Sequence, residues 1–298
     1  MAKNMFGRRA NPIREHPIET DCPNCPNVKI AYPTFDDWVA LYDVNKTLSG
    51  GEAQNRIRYR DMKRTHEHGV LASLALLSKQ STGRAVLVEI MMGPLQEVRI
   101  LPYDFMRAAD LFNTGAETSA SNYVAASAKG LPIAGHDYSG KQYVITDADT
   151  GRPELGTGDG SSADIFFSPG RYHGAKKAEE TLLHELVHAS RMVRGVSYDM
   201  PVSAGYGNLE EFLAVTIANM YRAQVGRPLR DYQFNVIQAA SFLDSRLRPT
   251  VRLLLGYMRS KQKSLYNRLA DLDTSDTPFN PMRQADAELD ALVRSIER

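Results

Sequence analysis

The segment AKKAEETLLHELVHASRMVRG, residues 175–195, restricts this chain more than any other. Ala178, Leu182, Leu186 and Val193 fall on one helical face and Gly195 supplies a stop. The segment therefore reads as a helix packed against a core, spanning 177–194. Inside it, His184, Glu185 and His188 stand in the spacing H-E-x-x-H.

Side chains four apart on an α-helix lie one above the other, so His184 and His188 aim their imidazoles at one point. Neutral imidazole nitrogens hold Zn²⁺ at about 2.0–2.1 Å, and a catalytic zinc keeps three protein ligands and a position for water. Glu185 stands beside the first histidine, where its carboxylate can serve as general base toward such a water. Two rival readings exist: a zinc-stabilised protein-interaction module without catalysis, and a metal-free helix whose histidines are core residues. A structural site has no need of Glu185, which favours the catalytic reading.

Two histidines need a third ligand. The extension H-E-x-x-H-x-x-G-x-x-H would require Gly at 191 and His at 194, and the chain has Arg191 and Arg194. After a loop at 196–207, NLEEFLAVTIANMYRAQVG (208–226) reads as a second helix, opened by Asn208 as N-cap and closed by Gly226. Asp199 in the loop, and Glu210 and Glu211 in the first helical turn, are the candidate carboxylates. Glu211 aligns with the small Ala214, Val215 and Ala218, and Glu210 with Leu213, Ala214 and Ile217, so the helical faces favour Glu211 only slightly.

TLLHELVHAS together with EEFLAVTIANMYRAQVGRPLRDY resembles the core of a zinc metallopeptidase family found among bacterial effector toxins, including type III effectors that cleave host kinases. The family's ligand Glu falls on Glu211, its Ala-Val on Ala214 and Val215, its Asn and Arg on Asn219 and Arg222, and its last piece on Gly226, Pro228, Arg230 and Tyr232. The resemblance implies His184, His188 and Glu211 as Zn²⁺ ligands and Glu185 as base. It also points to Tyr232 as an oxyanion donor, ahead of Tyr206, Tyr198 and His173, and suggests Asn219 as a residue orienting a ligand. It covers about 165–235 and extends loosely to 84–102. The implied biology is an effector or toxin with a protein substrate, made in the bacterial cytoplasm and exported by a specialised secretion system into a target cell. A secretion-system component or a cognate immunity protein is then the expected further partner.

The rest of the chain sets the frame. Residues 1–50, rich in Pro and Asn, read as a surface arm, and 51–298 as one α+β, zincin-like domain, mostly helical, with a small sheet bordering the cleft. A long helix is expected over 51–80, ending near Gly83, and a hairpin over RAVLVEIMMGPLQEVRILPYDF. Residues 111–163 look irregular around one strand, KQYVIT; ADIFFSPG (163–170) reads as a strand, and 231–270 and 281–298 as helical. With 36 Lys plus Arg against 35 Asp plus Glu, no nucleic-acid or anionic-membrane partner is expected. The longest apolar clusters, LASLALL and VRLLL, fall far short of the roughly 20 residues that span a bilayer. The N-terminus has no apolar run after its basic residues, so no cleaved signal is expected.

Other motifs carry less. Cys22 and Cys25, the two cysteines, form a C-x-x-C that could be a redox pair or half a zinc knuckle, and a surface loop is the simpler reading. His66 and His68 point to different helical faces. DADTG (147–151) lacks the Glu a calcium loop needs at its end, and GTGDG (156–160) opens no helix and reads as a flexible loop. The basic C-terminal stretch 245–270 reads as the solvated face of a core helix.

Overall fold

The computed structural model describes residues 17–22, 25–44, 50–93, 96–103, 116–136, 142–172, 177–199, 207–231, 235–238, 248–273, 275–283 and 294. Its scaffold is a five-stranded sheet with helices laid on one face. The strands are β1 (Ile18–Asp21), β2 (Val28–Tyr32), β3 (Val98–Leu101), β4 (Ala116–Ala120) and β7 (Ala163–Phe167), in the order β1-β2-β3-β7-β4. β2, β3 and β7 run parallel, and antiparallel β1 and β4 form the two edges. Two-residue alternation sends Val28, Ile30, Val98, Ile100, Ala163, Ile165 and Phe167 into the main core, while Ala31, Leu101 and Phe166 join a second cluster with Tyr103. On that second face Arg99 bonds Asp164 of the neighbouring strand at 2.8 Å.

The helices are α1 (Phe35–Val44), α2 (Glu52–Lys79), α3 (Ser81–Met91), the short α4 (Tyr123–Ala126), α5 (Ala178–Val193), α6 (Leu209–Gln224), α7 (Arg248–Lys261) and α8 (Lys263–Ala270). Small hairpins β5–β6 (Ala134–His136, Gln142–Val144) and β8–β9 (Leu229–Arg230, Val236–Ile237) complete the elements. Helix α5 is central, touching α2, α3, α6, β4 and β7. Leu182, Leu183, Leu186, Val187 and Val193 are fully buried, each worth roughly 1.5–3 kcal/mol. The chain is thus α+β, and no helix among the described residues is long and apolar enough to cross a membrane.

Four expectations are corrected. The expected hairpin after Gly83 is helix α3 followed by the single strand β3. Ala85, Val86, Leu87 and Ile90 are all buried, as is Glu89, and Arg84 is the one exposed residue of α3, so little polar face remains, and a mostly apolar run cannot be told from a buried strand by its period. The long helix stops at Lys79, with Gln80 extended, and Gly83 lies in the first turn of the next helix. A Cβ there would stand 2.2 Å from the Leu77 carbonyl oxygen.

The described part of the arm also differs from its reading. β2 lies inside the sheet, and Trp38 of α1 is fully buried against Tyr32 and Tyr59. A short strand between turns exposes little pattern, and its burial depends on partners distant in sequence.

GTGDG, expected to be flexible, is packed backbone to backbone against the end of α5. Gly160 N–H donates to Ala125 O, and Ser161 N–H to Met192 O, one of the helix's last carbonyls. Gly158, Gly160 and Gly195 all have positive φ, and a Cβ on Gly195 would sit 2.4 Å from Gly158 backbone atoms. Glycine is the residue that permits both the conformation and the approach.

Candidate metal centre

Helices α5 and α6 run antiparallel, so the second half of α5 meets the first turn of α6. At the outer end of the pair, Arg222 of α6 bonds Glu180 of α5 at 2.5 Å and Arg227 bonds Glu179 at 2.9 Å. At the inner end, Asn208 caps α6: its Oδ1 accepts the backbone N–H of Glu211 at 2.8 Å. A Glu in this position commonly reaches back to the cap residue's own N–H. Here the carboxylate turns to the histidines.

His184 Nε2 lies 3.2 Å from Glu211 Oε2, His188 Nε2 lies 3.3 Å from Glu211 Oε1, and the two imidazole nitrogens are 3.2 Å apart. The rings stand nearly perpendicular, at 76°. Donor atoms at the zinc bond lengths, arranged tetrahedrally, are separated by about 3.3 Å. The three groups therefore converge at the spacing that one small cation requires. They form the one cluster of three or more candidate ligands among the described residues, and it could hold a metal ion.

Charge and burial point the same way. Burial opposes ionisation of Glu211, yet the neighbouring His188 and His184 hold its carboxyl well below the usual range. Burial works against protonation of His188 too, but the charge and hydrogen bond of Glu211, with Glu185 and Glu210 adding, push its pKa up to about 9. The trio favours one positive charge among its atoms, supplied by a proton or by a metal ion. His184 Nδ1 is buried without a hydrogen-bond partner, so the polar contacts of that ring lie at Nε2.

Glu185 is 6% exposed, and its Oε2 accepts a 2.7 Å hydrogen bond from Thr118 Oγ1 on edge strand β4. Tyr172 stacks on Phe167 at the end of β7, and burial together with the charge of Glu185 pushes its phenol up. Sequence reasoning missed both residues. AETSA has Thr118 as its single β-branched residue and no aromatic, too weak a pattern to mark a strand or to flag Thr118. For Tyr172 the signal was its place just before the H-E-x-x-H helix, beside the His173 that was considered.

The other candidates fall elsewhere. Glu210 has both oxygens occupied, Oε2 by Arg191 Nε at 2.5 Å and Oε1 by the Tyr198 N–H at 2.7 Å. Arg191, 1% exposed, also donates to Gln262 and to the Val196 carbonyl. Asp199 lies outside the cluster and lines a cavity of about 20 Å³ with Ser127, Leu131 and Ser197. Tyr198 stacks on Tyr257. Asn219 exchanges two hydrogen bonds with the backbone of Arg230, and Arg222 Nε donates to Pro228 O, so both hold the turn after α6. Tyr232, Tyr206 and His173 lie outside the described residues.

Comparison of the chain with protein-family models, with curated proteins and with solved structures finds no match.

Proposed function

We propose that this chain is a zincin-like, zinc-dependent peptidase in which His184, His188 and Glu211 hold the metal and Glu185 is the general base. The observation that carries the reading is the convergence of two imidazole nitrogens and the two oxygens of one carboxylate, at contacts of 3.2–3.3 Å, with a buried, oriented carboxylate one residue from the first ligand. Zinc, when bound, supplies Lewis acidity, polarising a carbonyl and making water a nucleophile near neutral pH.

The chain's own residues would do the rest. Glu185 takes a proton from the attacking water and returns it to the nitrogen of the breaking C–N bond. Thr118, donating to Oε2, leaves Oε1 for that proton and fixes the carboxylate's direction. Strand β4 pairs only with β7 among the described residues. An extended peptide laid along its outer edge would run past Glu185, which is the support here for a protein substrate. The resemblance to effector and toxin peptidases supports a target in another cell, with export machinery or an immunity protein as further partners.

The rival is a zinc-stabilised interaction module. Glu185→Gln separates the two, because the amide keeps the shape and removes the base. Metal content should stay at one equivalent, while cleavage, read as new N-termini in a proteome digest, should fall by about 10³-fold. Undiminished cleavage in the variant would sink the peptidase reading.

A further inference from the structure

The C-x-x-C motif is absent from the metal chemistry above, and the fold gives it a definite setting. Cys22 follows β1 and Cys25 precedes β2, and both are buried at 6% and 4% exposure within the main core cluster. Cys25 N–H donates to Cys22 O at 3.1 Å, closing a β-turn across the pair. The Val28 N–H donates to Cys25 O at 2.8 Å and closes a second. A hydrogen-bonded β-turn brings its end Cα atoms within about 7 Å, the range in which a disulfide can form. Pro26 occupies the second position of the turn from Cys25 to Val28, where proline's fixed φ fits.

We propose that Cys22 and Cys25 form a redox-controlled disulfide that locks the turn between the first two strands of the sheet. The two thiols are in hydrogen-bond contact, and that contact, burial and the charge of Cys22 push the Cys25 thiol up. A thiol so poorly ionised is a slow nucleophile, so this is a structural lock set during folding or local opening, and no catalytic dithiol. Its position gives the lock leverage. Asn27, two residues on, donates to the Ile90 and Met91 carbonyls at the end of α3, and its own carbonyl accepts the Val98 N–H at the start of β3.

Glutathione disulfide is a sufficient oxidant. The thiolate of one cysteine attacks it and expels one glutathione thiolate; the thiolate of the other then attacks the mixed disulfide and expels the second. One S–S bond forms in the protein, one breaks in glutathione, and the two thiol protons end on two glutathione thiols.

The test uses the full chain equilibrated, by folding from urea, across a series of glutathione redox buffers. A parallel series stays in urea. After acid quench and alkylation, mass spectrometry reads the fraction carrying the Cys22–Cys25 bond. The expected result is that the folded chain reaches half oxidation at a ratio of oxidised to squared reduced glutathione at least tenfold lower than the unfolded chain does. An equal or higher ratio would overturn the proposal, because the fold would then resist the bond. So would products limited to mixed or intermolecular disulfides. Oxidation that proceeds only after a chelator is added would overturn it too, by marking the thiols as metal ligands.

Discussion

Helices α5 and α6 meet at two polar junctions, and the two are chemically opposite. At the outer one, Glu179 and Glu180 face the guanidinium groups of Arg222 and Arg227, so the carboxylates are neutralised by cations the chain itself provides. At the inner one, two adjacent glutamates divide the roles. Glu210 is closed by Arg191 in the same way, while among the described residues the Glu211 carboxylate meets the nitrogens of His184 and His188. A junction built for folding satisfies its own charges. Among the described residues no lysine or arginine bonds the trio around Glu211, and the positive charge it favours is left to a proton or a metal ion.

The largest test of this contrast is on stability. Glu210→Ala or Arg191→Met leaves one buried charge without its partner and should cost about 3–5 kcal/mol in urea unfolding. The double variant Arg191→Met/Glu210→Leu, which removes both charges, should recover most of that loss. If the single variants unfold like wild type, Arg191–Glu210 is not the closed half of the junction. Glu211→Ala should do the reverse. Zinc affinity, measured by competition with a chromogenic chelator, should fall more than about a hundredfold. Retained affinity in Glu211→Ala, with loss in Glu210→Ala, would reverse the assignment of the two carboxylates.

What the sequence revealed divides along similar lines. The two helices were legible because their signals are local: Asn208 does cap α6, and Gly195 and Gly226 stand at positive φ beyond the helix ends. The pairing of His184 with His188 follows from helical spacing alone. The preference for Glu211 over Glu210 needed the family pattern, because both helical faces are apolar, and Arg191 as the partner of Glu210 is visible only after folding. Nothing local marks Thr118 as the residue that orients Glu185. Its strand is defined by pairing with β7, far along the chain, and tertiary pairing of that kind leaves little trace in a five-residue string. Helix α3 was lost for the opposite reason, since Arg84 is its one exposed residue and little of the polar face that reveals a helix remains.

The glycines that end the two helices sharpen the comparison further. Gly195 and Gly226 have nearly the same φ, 65° and 68°, yet a Cβ on Gly195 would collide with the backbone of Gly158 and one on Gly226 would meet nothing within 4 Å. Gly226→Ala should cost about 1 kcal/mol, the penalty of the left-handed conformation. Gly195→Ala adds the collision and should cost at least about 2 kcal/mol. Equal melting temperatures for the two variants would show that the GTGDG loop yields freely and is not packed against the metal helix.

The smallest effect is the most specific to the site. Asn208 accepts a hydrogen bond from the backbone N–H of Glu211, so the cap of α6 fixes the residue that approaches the histidines. Asn208→Ala should cost about 1 kcal/mol of stability, as loss of an N-cap does elsewhere. A cap that served the helix alone would leave metal binding of the folded variant unchanged. Because the capped residue is itself the proposed ligand, zinc affinity should fall as well, by up to about tenfold, the lower end for a residue that orients a ligand. Asn208→Asp restores an acceptor at the same place and should recover the affinity. If stability falls and affinity does not, the first turn of α6 is positioned by Arg191 and Glu210 without help from its cap, and the closed half of the junction alone would set the geometry of the open half.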